Sequence, residues 1–143
     1  MLMAKQKWPP KGYPLVDGKL ALTDEWSIEL DAQFARRIDE GSLVLWRPEL
    51  NLWFDAFGNA ARSSRSVRLR ELREKASPAA TELREASDSI VTRFSYRLQK
   101  ETAECLYAFV IADAGHLQIA SYFDDAAQAT RAAAILQTVR YQR

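Results

Sequence analysis

The residues from Leu43 to Phe57 permit few folds. Leu43-Val44-Leu45-Trp46-Arg47 and Asn51-Leu52-Trp53-Phe54-Asp55-Ala56-Phe57 are β-rich runs on either side of Pro48-Glu49-Leu50. Such a pair reads as a hairpin with a loop of about three to five residues. In the second run Leu52, Phe54 and Ala56 fall on one face and Trp53, Asp55 and Phe57 on the other, because strand side chains alternate. The first run is apolar from Leu43 to Trp46, which predicts cover on both faces. A two-stranded ribbon does not stand alone in water, so the rest of the chain must supply strands or helices.

Two later runs are clearer still. Ile90, Thr92, Phe94, Tyr96 and Leu98 share one face, and Val91, Arg93, Ser95, Arg97 and Gln99 the other. Cys105 to Ala112 is apolar on both faces, which predicts a central strand. Asp113-Ala114-Gly115 predicts a tight hairpin loop in which Gly115 is free to take positive φ. His116 to Phe123 then returns with Leu117, Ile119 and Phe123 on one side. Upstream, Lys19 to Leu22, Trp26 to Leu30 and Phe34 to Ile38 predict three shorter strands, with Asp17-Gly18 as a turn. Residues 1–17 contain Pro9-Pro10 and Pro14, which disfavour helix. They predict an extended arm anchored by Trp8 or Tyr13.

Helical spacing appears twice. In residues 62–75, Val67 or Leu69 recurs with Leu72 and Ala76, and Ser64 or Ser66 is placed to cap the start. Ser77-Pro78 breaks this helix, and residues 78–86 predict a second short one. The last helix starts at Asp124 or Asp125. Asp125 would set Gln128 at the third helical position, and the alanines that follow favour helix intrinsically. Ala129, Ala132, Leu136 and Val139 form the face expected to lie on a sheet, and Arg140 and Arg143 suit the negative C-terminal end. Together these segments predict an α+β fold: a mostly antiparallel sheet of about six to seven strands with helices packed on it, an α/β/α sandwich.

At 143 residues the chain suits one domain, 1–143, with a core of its own. Its net charge of +1 sets up no field that would drive it onto nucleic acid or an anionic membrane. The lone cysteine, Cys105, cannot form an internal disulfide, and with His116 the only histidine there is no zinc set. No cofactor is expected. No apolar run approaches the roughly 18–20 residues that span a bilayer. The first twelve residues lack the apolar core of a secretory signal. The expected compartment is the cytoplasm.

Three segments resemble a known group. The stretch Leu20-Ala-Leu-Thr-Asp-Glu-Trp-Ser-Ile, the strand Leu43-Val-Leu-Trp-Arg and the helix end Ala134-Ile-Leu-Gln-Thr-Val-Arg140 are similar to the PsbP-like small α/β/α domains, bacterial members of unknown function included. The resemblance covers residues 18–141. It implies a protein-binding accessory or chaperone-like role, without catalysis, by analogy of fold. The chain departs from secreted and lipid-anchored members in showing no signal segment.

Two surfaces are candidates for function. Trp53, Phe57, Arg47, Arg93 and Arg97, with Asp55, are expected to meet on one sheet face and form a partner-binding patch, since aromatics and arginine are enriched where proteins dock. The plainer alternative is that Trp53 and Phe57 pack beneath a helix or the arm. The second surface is the segment holding Arg62, Arg65, Arg68, Arg70 and Arg73 with Lys75, which as a basic helix could grip phosphates. The plainer alternative there is a solvated helix face. His116 reads as an exposed turn residue, and only a deep polar pocket around it would revive an enzymatic reading. Cys105 reads as a small buried hydrophobe. Exposed sheet edges leave a homodimer open.

Overall fold

The computed structural model describes residues 7–100 and 103–142. Among these the elements are β1 (Leu15–Ala21), β2 (Trp26–Asp39), β3 (Ser42–Arg47), β4 (Leu50–Gly58), α1 (Arg65–Lys75), β5 (Thr81–Ser87), β6 (Thr92–Gln99), β7 (Glu104–Ala112), β8 (Gly115–Phe123), α2 (Ala126–Gln137) and β9 (Arg140–Tyr141). All strands join one antiparallel sheet in the order β1-β2-β3-β4-β8-β7-β6-β5, with β9 paired to the start of β2. The sheet is two consecutive four-strand meanders whose last strands meet. β4 and β8 pair from Leu50–Phe123 to Gly58–Gly115.

Strand alternation divides the core between the two faces. On one, Ile28, Leu45, Leu52, Phe54, Leu106, Ala108 and Ile119 are buried against Ala129, Ala132, Ile135 and Leu136 of α2. On the other, Phe94, Tyr96 and Phe109 lie under Leu69 and Leu72 of α1. These are called the α2 face and the α1 face. Ala35, Val44 and Trp46 form a separate cluster with Trp8 and Trp53 on the α1 face. Ser64 caps α1 by accepting from the Val67 N–H, and Asp125 caps α2 by accepting from Gln128 N–H. Arg143 lies outside the described residues.

The α/β/α sandwich of six to seven strands is not what forms. Among the described residues the sheet has nine strands and holds 53%, against 17% in two short helices, so the fold is sheet-dominated. Three segments account for the difference. Residues 81–87 overlap the expected helix of 78–86, yet they pair with β6 as an edge strand, Ser87 opposite Thr92. Glu82, Leu83, Arg84 and Glu85 favour helix intrinsically, but the unpaired N–H and C=O groups of β6 override that preference. The segments around Ile28 and Phe34 form one strand of 14 residues, not two. Arg140 and Tyr141, past the last helix, add β9.

Smaller expectations also change. Pro48 and Glu49 alone make the β3–β4 turn. Asp17-Gly18 lies inside β1, where Gly18 at φ +59° sits at a break in register. Gly115 does not take positive φ. It is needed for proximity: a Cβ there would stand 2.3 Å from the Phe57 carbonyl oxygen of β4.

Candidate binding surface

The sheet pleat splits the expected patch. Trp53, Asp55 and Phe57 project from the α1 face, whereas Arg93 and Arg97 alternate with Phe94 and Tyr96 and project from the α2 face. Arg93 donates to the carbonyls of Leu136 and Val139 at the end of α2. Arg97 pairs with Glu82 and Glu104. Arg47 also leaves the patch. It pairs with Glu49 at 2.9 Å, donates to the Gln33 carbonyl, and lies 4.9 Å from the Trp8 ring centre.

The arginine beside Trp53 is Arg37. β2 sets Arg37 opposite Val44, and β3 sets Val44 opposite Trp53. The Arg37 guanidinium therefore lies over two indoles, 4.6 Å from Trp46 and 5.6 Å from Trp53. Its only ion pair among the described residues is a long one, 3.7 Å to Asp39. Nothing in the local sequence marks this residue. It is found only once the register across β2, β3 and β4 is known.

From Trp53 the register continues to Ala120 and then Tyr107, and the next row holds Asn51, Tyr122 and Cys105. Trp53, Ala120, Tyr107 and Tyr122 are half-buried, so the strip is neither core nor open surface. At its far side the Lys100 ammonium lies 5.5 Å from the Tyr107 ring and 5.7 Å from the Tyr122 ring. Asp55 accepts from the Ser42 hydroxyl at 2.6 Å. Phe57, 48% exposed, stacks on His116 at 4.9 Å. Since α1 packs on Phe94, Tyr96 and Phe109, it leaves the β3–β4–β8 part of this face without a helix.

Most of the basic helix is committed to the fold. Arg68 is buried and donates to the carbonyls of Ser63, Ala112, Asp113 and Gly115. Arg65 binds the Asp88 carbonyl and pairs with Asp113, and Arg73 pairs with Glu85. The electrostatics of α2 are similar in kind. Arg131 donates to Asp31 through two nitrogens and to Glu49 through one. The hydrogen bond from Arg131 holds the Asp31 carboxyl below its ordinary range. Burial acts to raise Glu49, but hydrogen bonds from Arg47 and Arg131 overcome it and lower the carboxyl.

Two residues with reactive side chains are poorly placed for chemistry. Burial pushes the Cys105 thiol up to about 11, against hydrogen bonds from Tyr107 and Tyr122, so it stays protonated at neutral pH. His116 is half-buried within β8, not exposed in a turn. Burial lowers its imidazole, and Arg68 and Lys75 lower it further. It lines neither the polar cleft at Asn59, Arg62, Ser63 and Asp113 nor the apolar cleft at Ile38, Leu43 and Phe54. Among the described residues no group of three His, Cys, Asp or Glu side chains is placed to hold a metal ion, and no helix is long and apolar enough to cross a membrane.

The chain matches no family model, no curated protein and no solved structure.

Proposed function

We propose that this chain is a non-enzymatic protein-binding domain whose working surface is the helix-free part of the α1 face. The observation that carries the reading is Arg37 stacked on Trp46 and Trp53 at one flank of a half-buried aromatic strip. Lys100 stands at the other flank. Stacked aromatics and arginine make interface hot spots because they offer large contact area at little entropy cost. Four strand spacings separate Arg37 from Tyr107, about 19 Å. The occupant that fits is an extended partner segment, apolar in its middle and acidic at both ends. The reading places the chain in the cytoplasm, where an unpaired thiol such as Cys105 stays reduced.

The test is a peptide-display selection on the purified protein. Selected peptides should carry acidic residues flanking an apolar run. Their binding should weaken by about tenfold or more in Trp53→Ala and in Arg37→Glu, a loss of roughly 1.4 kcal/mol or more. Peptides that bind both variants as well as the parent, or a selection that yields basic sequences, would remove this surface from consideration. A single-stranded oligonucleotide that binds the strip at moderate salt would replace the protein partner with nucleic acid.

A further inference from the structure

The α2 face holds a second opening. The sheet extends beyond α2, and the gap between the helix and β5–β7 is a cleft of about 380 Å³, within the range of small-molecule sites. Its apolar lining is Leu106, Ala108 and Val110 of β7 with Ala129 and Ala133 of α2. The alanines leave the space that larger side chains would fill. Polar groups come from β6, with Arg93 at one end, Ser95 between and Arg97 at the other, and from β5, where Arg84 stands opposite Ser95 and pairs with Glu82 at 3.8 Å. Arg93 and Arg97 are four residues apart on a strand, about 13 Å.

The two ends differ in charge. Arg97 is held between Glu82 and Glu104, so its charge is matched. Arg93 donates to the carbonyl oxygens of Leu136 and Val139 and forms no salt bridge among the described residues, the Asp88 carboxylate acting on it only at longer range. Arg140 adds a second guanidinium nearby, donating to the Gln137 and Val139 carbonyls. A half-buried cation beside an apolar wall attracts an anion strongly, since the low dielectric strengthens the pair and a guanidinium keeps further N–H donors to offer.

We infer that this cleft binds a small amphipathic monocarboxylate of the medium-chain fatty acid type. The carboxylate pairs with Arg93, and the chain lies along Leu106, Ala108 and Val110 toward Arg97. The orientation follows from Glu82 and Glu104, which repel an anion at the Arg97 end. The site lies on the opposite face from the aromatic strip and is independent of the protein-binding reading.

Decanoate, decanol and sebacate serve as probes, with binding followed by NMR shifts of the full chain. Decanoate should bind best and shift the amides of Ala108, Val110 and Ala133. Decanol should bind about tenfold or more weakly for want of the charged pair, and sebacate should be weakened by its second carboxylate near Glu82. Arg93→Met should lower decanoate affinity to that of decanol. Because Arg93 also holds the end of α2, Ala133→Leu provides the second variant. It lies on an exposed helix position, keeps helix propensity, and should block binding with the fold intact. Equal binding of decanoate and decanol, unaltered decanoate binding by either variant, or shifts confined to other surfaces would overturn the assignment.

Discussion

Arg68 and Gly115 are joined across the β7–β8 turn. The guanidinium Nη1 donates to the glycine carbonyl at 3.2 Å, and Nη2 donates to the carbonyls of both Ala112 and Asp113. One side chain on α1 thus satisfies the main chain at the tip of the central hairpin. Replacing Arg68 by Leu removes the donors and leaves buried carbonyls unsatisfied, at a cost of about 2–4 kcal/mol. The melting temperature should fall by roughly 10 °C. A calorimetric scan showing a loss of only a degree or two would mean that Arg68 is a surface charge after all.

Gly115 and Gly58 face each other across β4 and β8 but differ in tolerance. A methyl group on Gly115 meets the Phe57 backbone, whereas one on Gly58 meets nothing within 4 Å. Gly115→Ala should destabilise by about 1–3 kcal/mol through overpacking. Gly58→Ala should be neutral or slightly stabilising, since it restricts the unfolded chain. Denaturant midpoints measured side by side decide this. Equal effects would show that the close approach at residue 115 is absent.

His116 should make stability fall on mild acidification. Its imidazole titrates below its ordinary range when folded, chiefly because it is buried. The unfolded chain therefore takes up the proton first. The stabilisation is complete above the unfolded value, near about 6.5, and is lost as pH drops through the lower folded value. Asp31 and Glu49 follow the same sign, but from lower starting values. Between about pH 7.5 and 5.5, a His116→Phe variant should therefore show a flatter pH dependence than the parent, since His is the group that titrates there. Parallel melting curves in the two proteins would exclude this role.

The outer edges bear on self-association. β5 exposes Glu82, Arg84 and Glu85 and breaks register between Thr81 and Arg84, and β1 breaks register at Gly18. Charges and irregularities of this kind discourage edge-to-edge pairing. Light scattering at micromolar concentration should report a monomer, and a stable dimer would show that another surface joins the copies.

Period-two patterning made most of the sheet legible. The face assignments of Leu52, Phe54, Trp53 and Asp55 stand as read, as do the central place of Cys105 to Ala112 and the Asp125 cap of α2. What could not be read depended on partners distant in sequence. Residues 81–87 carry helix-forming side chains and become a strand only because β6 offers an unpaired edge. The binding patch was misassembled for the same reason. Arg93 and Arg97 share a strand with aromatics, but the pleat turns them to the other face, while Arg37 reaches Trp53 through the register of a strand between them. Arg68 reads as solvated charge in the sequence because three of its four acceptors lie some 45 residues downstream.

Among the described residues the two meanders meet along the sheet at the β4–β8 ladder, and β9 adds a short second pairing to the start of β2. The link from Asn59 to Ser64 lies between β4 and α1, and α1 rests on strands of the second meander. Severing the chain within that link would leave β1 to β4 in one fragment and both helices with β5 to β9 in the other. The molecule is thus suited to being split into two complementing pieces that zip together along β4 and β8, a ready-made reporter for proximity.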